Sequence, residues 1–297
     1  VADVLQELVE LLALERIEEN LFCGQSQDLG WGAVFGGQVL GQALSAAEQT
    51  VPDARACHSL HAYFLRSGDV RRPIVYEVDR IRDGRSFTTR RVRAVQGGKP
   101  IFSLSASFHI QEEGLDHQDP MPPSVDPDTL PSEVELARMV ADQLPPGIRE
   151  RAIAIRPIDL RPVDPVNPIA PAQRPPTKQL WFKTIGPLPD DPKLHRYLLA
   201  YASDFQFLLT ALHPHGVSWL TPGMQVASLD HAMWFHRPFR MDQWLLHDID
   251  APSVQGGLGL VRGRVFNQAG QLVASTMQEG LLRDWRGRKR DKGEQGD

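Results

Sequence analysis

Apolar positions recur along this chain in two blocks with the same spacing. Residues 73–109, shifted by 171 positions, lie over residues 244–280 without a gap. Ile74 and Val75 fall on Leu245 and Leu246, Val78 on Ile249, Phe87 on Leu258 and Val95 on Phe266. Ile101 and Phe102 fall on Leu272 and Val273, and Arg91 and Arg93 fall on Arg262 and Arg264. Few residues are identical, so it is the patterning that repeats, and an internal duplication is the simplest account of it.

Each block predicts one helix and a set of strands. In the first, the helix runs from Gly36 to about Gln49 and is rich in small residues: Gly36, Gly37, Gly41, Ala43, Ala46 and Ala47. Strands follow near His58–Leu65, Ile74–Asp79, Ser86–Val95 and Ile101–Ile110, with Gly68, Gly84 and Gly97-Gly98 in the turns. In the second, a strand near Gln179–Thr184 precedes a helix from about Lys193 to Leu212. Strands then follow near Gln225–Arg237, Trp244–Asp250, Gly257–Asn267 and Gln271–Arg283. Leu198, Leu199, Tyr201, Phe205, Phe207, Leu208, Leu209 and Leu212 cover nearly every side of the second helix. A helix that is apolar all round is buried all round. A long helix wrapped by an antiparallel sheet is the hotdog arrangement. Two in one chain predict an α+β double hotdog, whose sheets join edge to edge and so cover each other's open strands.

Proline separates the two blocks. Of 24 prolines, 14 lie between Pro120 and Pro176, a stretch too long for a simple loop within one compact domain and containing only a modest helical pattern from Glu133 to Gln143. The expected organisation is therefore an N-terminal helix and first unit over 1–118, a Pro-rich linker over 119–177, a second unit over 178–286 and a charged tail over 287–297. The N-terminal segment Val4 to Ile17 reads as an amphipathic helix, and the tail from Arg286 to Asp297 as disordered.

Composition narrows the function classes. With 37 acidic against 32 basic residues the net charge is −5, which does not advertise nucleic-acid binding. No run of 18 apolar residues exists to span a membrane. Asp3, Glu7, Glu10, Glu15 and Glu18 interrupt the first twenty residues, which argues against a signal peptide. The last residues, Glu294 to Asp297, carry no recognisable address. Two cysteines, Cys23 and Cys57, fit a reducing, cytoplasmic setting better than a disulfide scaffold. Cys57 precedes His58, but neighbours on a strand face opposite ways, so the two are not a nucleophile and its base.

Three residues carry candidate chemistry. Asp204 lies within the apolar helix, where an unpaired carboxylate is costly; it is either a structural group tied to backbone or arginine, or a functional one in a polar cleft. Ser228, Asp230 and His231 suggest a hydrolytic triad, yet on a strand Ser228 and Asp230 share one face and His231 takes the other. There is no Gly-x-Ser-x-Gly elbow, so Ser228 reads as a hydrogen-bonding hydroxyl rather than a covalent nucleophile. Gln278, on a strand central to the second unit, can both donate and accept, and so can hold a water or polarise a carbonyl. His58 is a competing acid–base candidate, its plainer reading being a locally satisfied strand-end histidine. No His-Glu-x-x-His occurs, and His213-Pro214-His215 belongs to a turn, so no metal is expected. Gly256-Gly257-Leu258-Gly259 sits in a strand pattern and reads as close backbone approach, not as a phosphate loop.

Taken together, Asp204, the eleven residues Ser228-Leu229-Asp230-His231-Ala232-Met233-Trp234-Phe235-His236-Arg237-Pro238, and the run Ala274 to Gly280 resemble the acyl-CoA thioesterase II family, the bacterial TesB-like enzymes. Gly36 to Ala43 and His58 to Arg66 extend the resemblance through the first half. It implies a double hotdog and hydrolysis of acyl-CoA to free acid and CoA. The family's catalytic aspartate, hydroxyl residue and glutamine fall on Asp204, Ser228 and Gln278, together holding a water. The family often has threonine where this chain has Ser228, which keeps the hydroxyl and loses a methyl group. Acyl-CoA is then the partner molecule, no cofactor is called for, and dimers or tetramers are expected. Two rivals are a hotdog enoyl-CoA hydratase, which needs an Asp/His pair not found here, and a non-catalytic acyl-CoA-binding module.

Overall fold

The structure is a computed structural model that describes residues 2–144 and 146–286. Among the described residues five α-helices, α1 (Ala2–Leu12), α2 (Gly36–Glu48), α3 (Glu133–Met139), α4 (Pro146–Ala152) and α5 (Pro192–Ser203), accompany thirteen strands. The first-half strands are β1 (Glu15–Glu18), β2 (Leu21–Gly24), β3 (Arg55–Phe64), β4 (Ile74–Asp83), β5 (Phe87–Gln96) and β6 (Lys99–Ile110). β7 (Ile158–Pro162) and β8 (Thr177–Thr184) precede α5, and β9 (Met224–Ser228), β10 (Asp230–Phe235), β11 (Leu245–Gln255), β12 (Leu258–Asn267) and β13 (Leu272–Asp284) follow it. None of the described helices is long and apolar enough to cross a membrane. The predicted tail, 287–297, lies outside the described residues.

All strands join one antiparallel sheet in the order β1-β2-β4-β5-β6-β3-β10-β13-β12-β11-β8-β7, with β9 also on β13. The halves meet where β3 pairs with β10, so each covers the other's open edge, as anticipated. At the centre of that seam His61 lies opposite Ala232, and the shift of 171 carries the first onto the second. The seam is therefore an approximate twofold axis. The repeat also recurs in detail: the register breaks beside Ala94/Val95 of β5 and beside Val265/Phe266 of β12, equivalent positions under the same shift, with the extra residue on the partner strand, Ile101 of β6 and Val273 of β13. Past the next turn the ungapped alignment slips by one. Gln96 pairs with Lys99 in the first half, whereas the Asn267 N–H reaches the Gln271 carbonyl in the second, a turn one residue longer. The shift between β6 and β13 is thus 172, and Ala106, opposite Arg90, matches Gln278, opposite Val261.

Helices α2 and α5 cross inside the two concave faces. Glycine permits the close approach: a Cβ on Gly37 would stand 2.2 Å from the Tyr201 carbonyl oxygen, and one on Gly41 3.0 Å from that of Tyr197. Leu40 and Leu44 of α2 and Leu198 and Leu199 of α5 are fully buried, each worth about 1.5–3 kcal/mol of transfer free energy. The Pro-rich stretch lies across the outer face of the second half. Met121, Leu130 and Val163 pack on Trp181, Trp244, Leu246 and Phe266, and the Trp181 and Trp244 indole N–H groups are met by Val125 O and Asp128 Oδ1.

Several expectations need correction. The helix predicted to Leu212 ends at Ser203, and a separate 3-10 segment runs from Leu208 to His215. Continuous apolar character reported continuous burial, not a continuous helix. The N-terminal helix stops at Leu12, and Glu15–Glu18 pairs with β2 instead. The strand predicted from Gln225 to Arg237 is broken at Leu229, where the Asp230 carboxylate accepts the Glu279 N–H at 2.6 Å in place of a ladder carbonyl. Gly256 and Gly257 form the β11–β12 turn, both with positive φ (62° and 83°), so conformational freedom rather than close packing explains this pair.

Candidate active site

Asp204 is the C-cap of α5 rather than an interior residue. Directly after it Phe205 stacks on Phe35 (4.4 Å between centroids). Gln206 then adopts φ 59°, the left-handed region, in which no other described non-glycine residue lies. That conformation costs a side-chain-bearing residue about 1–2 kcal/mol, and it turns the chain sharply away from the helix axis. Asp204 lies beside the first turn of α2: a Cβ on Gly36 would lie 2.6 Å from Asp204 Oδ2.

Gln278 stands on the buried face of β13 and donates its Nε2–H to Asp204 Oδ1 at 2.8 Å. Burial dominates the electrostatics and pushes the Asp204 carboxyl above the usual range; the Gln278 amide and the Gly37 backbone N–H oppose it by favouring the charged form. The positive end of α2 acts in the same sense. Gln278 Oε1 is buried with no hydrogen-bond partner among the described residues.

Ser228, the last residue of β9, lies opposite Gly280 on β13. Directly opposed residues share a sheet face, and so do alternate residues of one strand, so Ser228 shares its face with Gln278 as a diagonal neighbour about 7 Å away. That separation is too long for direct contact and suits a bridging molecule. The Ser228 side chain is half-buried.

Beneath these groups lies a layer absent from the sequence expectations. His231 Nε2 meets Ser203 Oγ at 3.0 Å, His247 Nε2 meets Thr276 Oγ1 at 2.9 Å, and the Phe207 ring packs against both imidazoles. Burial pushes both histidines down to about 3, so they are neutral. Thr276 and Gln278 alternate on one face of β13, and Ser203 precedes Asp204, so this layer underpins the site without entering it. His231 faces inward, bonded to Ser203 rather than to Ser228 or Asp230, and the break at Leu229 puts it on the same sheet face as Ser228, contrary to the alternation expected of a continuous strand.

The other candidates lie elsewhere. His58 bonds Ser107 Oγ at 2.8 Å and packs against the Phe87 and His109 rings, a satisfied strand histidine. Cys57 is buried, its thiol pushed up by desolvation and turned to the Ser59 carbonyl. In the first half Ala106 occupies the place equivalent to Gln278, so the amide-bearing site is built once.

Residues 157–281 match the acyl-CoA thioesterase family and residues 26–109 the acyl-CoA thioesterase N-terminal domain. The chain is 46% identical over 282 residues to acyl-CoA thioesterase 2 of Haemophilus influenzae, covering 95% of this chain and 99% of that protein. It is 43% identical to the crystal structure of an acyl-CoA thioesterase II, TesB2, from Mycobacterium marinum, with TM-score 0.75 over 93% of this chain and 98% of that one. A protein of unknown function with a hot dog fold from Alicyclobacillus acidocaldarius superposes with TM-score 0.74 at 21% identity over 93% of this chain and 98% of that one, a likeness of fold alone. The two helix-and-sheet units are a double hotdog, and the chain belongs to the acyl-CoA thioesterase family.

Proposed function

We propose that this chain hydrolyses fatty acyl-CoA to free acid and CoA, with a water held by Asp204, Ser228 and Gln278. The observation that carries this reading is the Gln278–Asp204 hydrogen bond at the first turn of α2, with Gln278 Oε1 left buried and unpartnered. A thioester carbonyl is electrophilic and the CoA thiolate leaves readily, so no covalent nucleophile is needed. The water oxygen attacks the carbonyl carbon while Asp204 takes one of its protons as general base. Gln278 Oε1 and the Ser228 hydroxyl orient the water, and the raised Asp204 pKa improves its match to that task. Collapse of the tetrahedral adduct breaks the C–S bond, and the thiolate takes up the proton held by Asp204.

The hydratase alternative requires a histidine against the carboxylate; Asp204 is bonded by a glutamine instead. Two free cysteines suit a reducing, cytoplasmic setting, and we place the enzyme there as a homo-oligomer, a dimer or tetramer, on family resemblance. The test is thiol release from saturated acyl-CoAs across a ladder of chain lengths, for the parent chain and Asp204→Asn. Turnover should fall by about 10²–10⁴ in the variant while substrate still binds. Acyl-CoA binding without any thiol release by the parent would leave a binding module in place of an enzyme.

A further inference from the structure

The segment after Asp204 is gripped from two sides. Phe205 is held by Phe35, at the entrance to α2. Gln206 is held at both ends of its amide: Lys178 of β8 donates to Oε1, and Nε2 donates to Glu133, the first residue of α3. Arg156 completes the chain of contacts, its Nη1 lying 3.5 Å from Glu133 Oε2. Glu133 exposes only 16% of its side chain, so the network is largely shielded from water.

This arrangement sits on an uncommon backbone. The left-handed turn at Gln206 is intrinsically unfavourable for a residue with a Cβ, so surrounding contacts must hold it. Asp204 is two residues away, at the end of α5 and beside the first turn of α2. We infer that Glu133 and Lys178 are positioning residues for Asp204, gripping the Gln206 amide so that the turn fixes the carboxylate against Gln278 and the mouth of α2. The Pro-rich stretch is thereby part of the catalytic apparatus: through α3 it supplies one jaw of the clamp. Burial raises the Glu133 carboxyl and depresses the Lys178 amine to about 8, as expected for charges retained in a shielded site. This inference rests on Asp204 being the base.

The test compares Glu133→Ala, Glu133→Gln, Gln206→Gly and Asp204→Asn by steady-state thiol release, pH–rate profiles and thermal unfolding. Gln206→Gly is informative because glycine accepts the left-handed backbone while losing the grip. In Gln206→Gly and Glu133→Ala, kcat should fall ~10-fold with KM within about twofold. The acid limb of the profile should move to higher pH, as Asp204 loses its fixed donors. Glu133→Gln retains an acceptor for the Gln206 N–H and should recover most of the loss. Parental kcat and acid limb in both Gln206→Gly and Glu133→Ala, beside an inactive Asp204→Asn, would overturn the positioning role alone. A fully active Asp204→Asn would remove the base and this inference with it. Should Glu133→Ala fail to fold, Gln206→Gly decides by itself.

Discussion

Gln278 gives an N–H to Asp204 at 2.8 Å and keeps its own carbonyl oxygen buried and unpartnered. One amide thus restrains the carboxylate and offers an acceptor to whatever molecule occupies the space beside it. Truncation and charge should therefore act differently. Gln278→Ala should lower kcat by about 100-fold through a misoriented carboxylate and water. Gln278→Glu puts two carboxylates side by side, which raises the pKa of the pair and should carry the acid limb of kcat to higher pH. An unmoved acid limb in Gln278→Glu would mean that Asp204 does not control turnover.

Asp204 should also leave a mark on stability. Its folded pKa lies above the unfolded value of about 3.9, so the folded state binds more protons as pH rises from there. The stability it contributes is present below the unfolded pKa and is lost as pH rises through the folded one. Asp204→Asn does not titrate, so its melting temperature relative to the parent should increase as pH rises above about 4. A pH-independent difference would contradict the dominance of burial at this carboxyl.

Ser228 should orient rather than attack. Ser228→Ala should cost about tenfold in rate, the worth of one hydrogen bond. Ser228→Thr retains the hydroxyl and should remain active. Mass spectrometry of parent enzyme quenched during turnover should show no mass added to the peptide bearing Ser228. An acylated Ser228 would replace the water mechanism with a covalent one.

The neutral pair His231 and His247 should make the fold acid-sensitive. In the unfolded chain each takes up a proton near pH 6.5, but in the folded state only near about 3. Between those values the unfolded state holds more protons, so stability should fall as pH drops, by about 1.4 kcal/mol per pH unit per histidine. Denaturant unfolding at stepped pH measures that slope. His231→Gln should reduce it by one proton's worth, and an identical slope would show that His231 is charged in the folded state.

The strands and the small-residue helix were legible because alternation and spacing follow directly from which side chains must be buried. The need to satisfy Asp204 was legible too, from the cost of an unpaired carboxylate in an apolar run. Its partner Gln278, 74 residues away, was reached through resemblance rather than periodicity. The helix end at Asp204 was invisible because the following left-handed turn falls on Gln206, where no glycine announces it. β1 was missed because Glu15, Arg16, Ile17 and Glu18 are all exposed and give no alternation. The clamp on Gln206 was hidden for another reason: Glu133 is 73 residues distant, and a polar side chain does not signal its partner.

The Gly37 N–H beside Asp204 comes from the first half of the chain, whereas Asp204, Ser228 and Gln278 all come from the second. Division of labour after the duplication was therefore unequal in kind. One copy retained the replaceable parts, side chains that mutation can exchange singly. The other contributes a backbone N–H, which most side-chain exchanges leave in place and which proline would remove. The first half's share is therefore visible in sequence only indirectly, as the small residues Gly36 and Gly37 that let the helix start come this close.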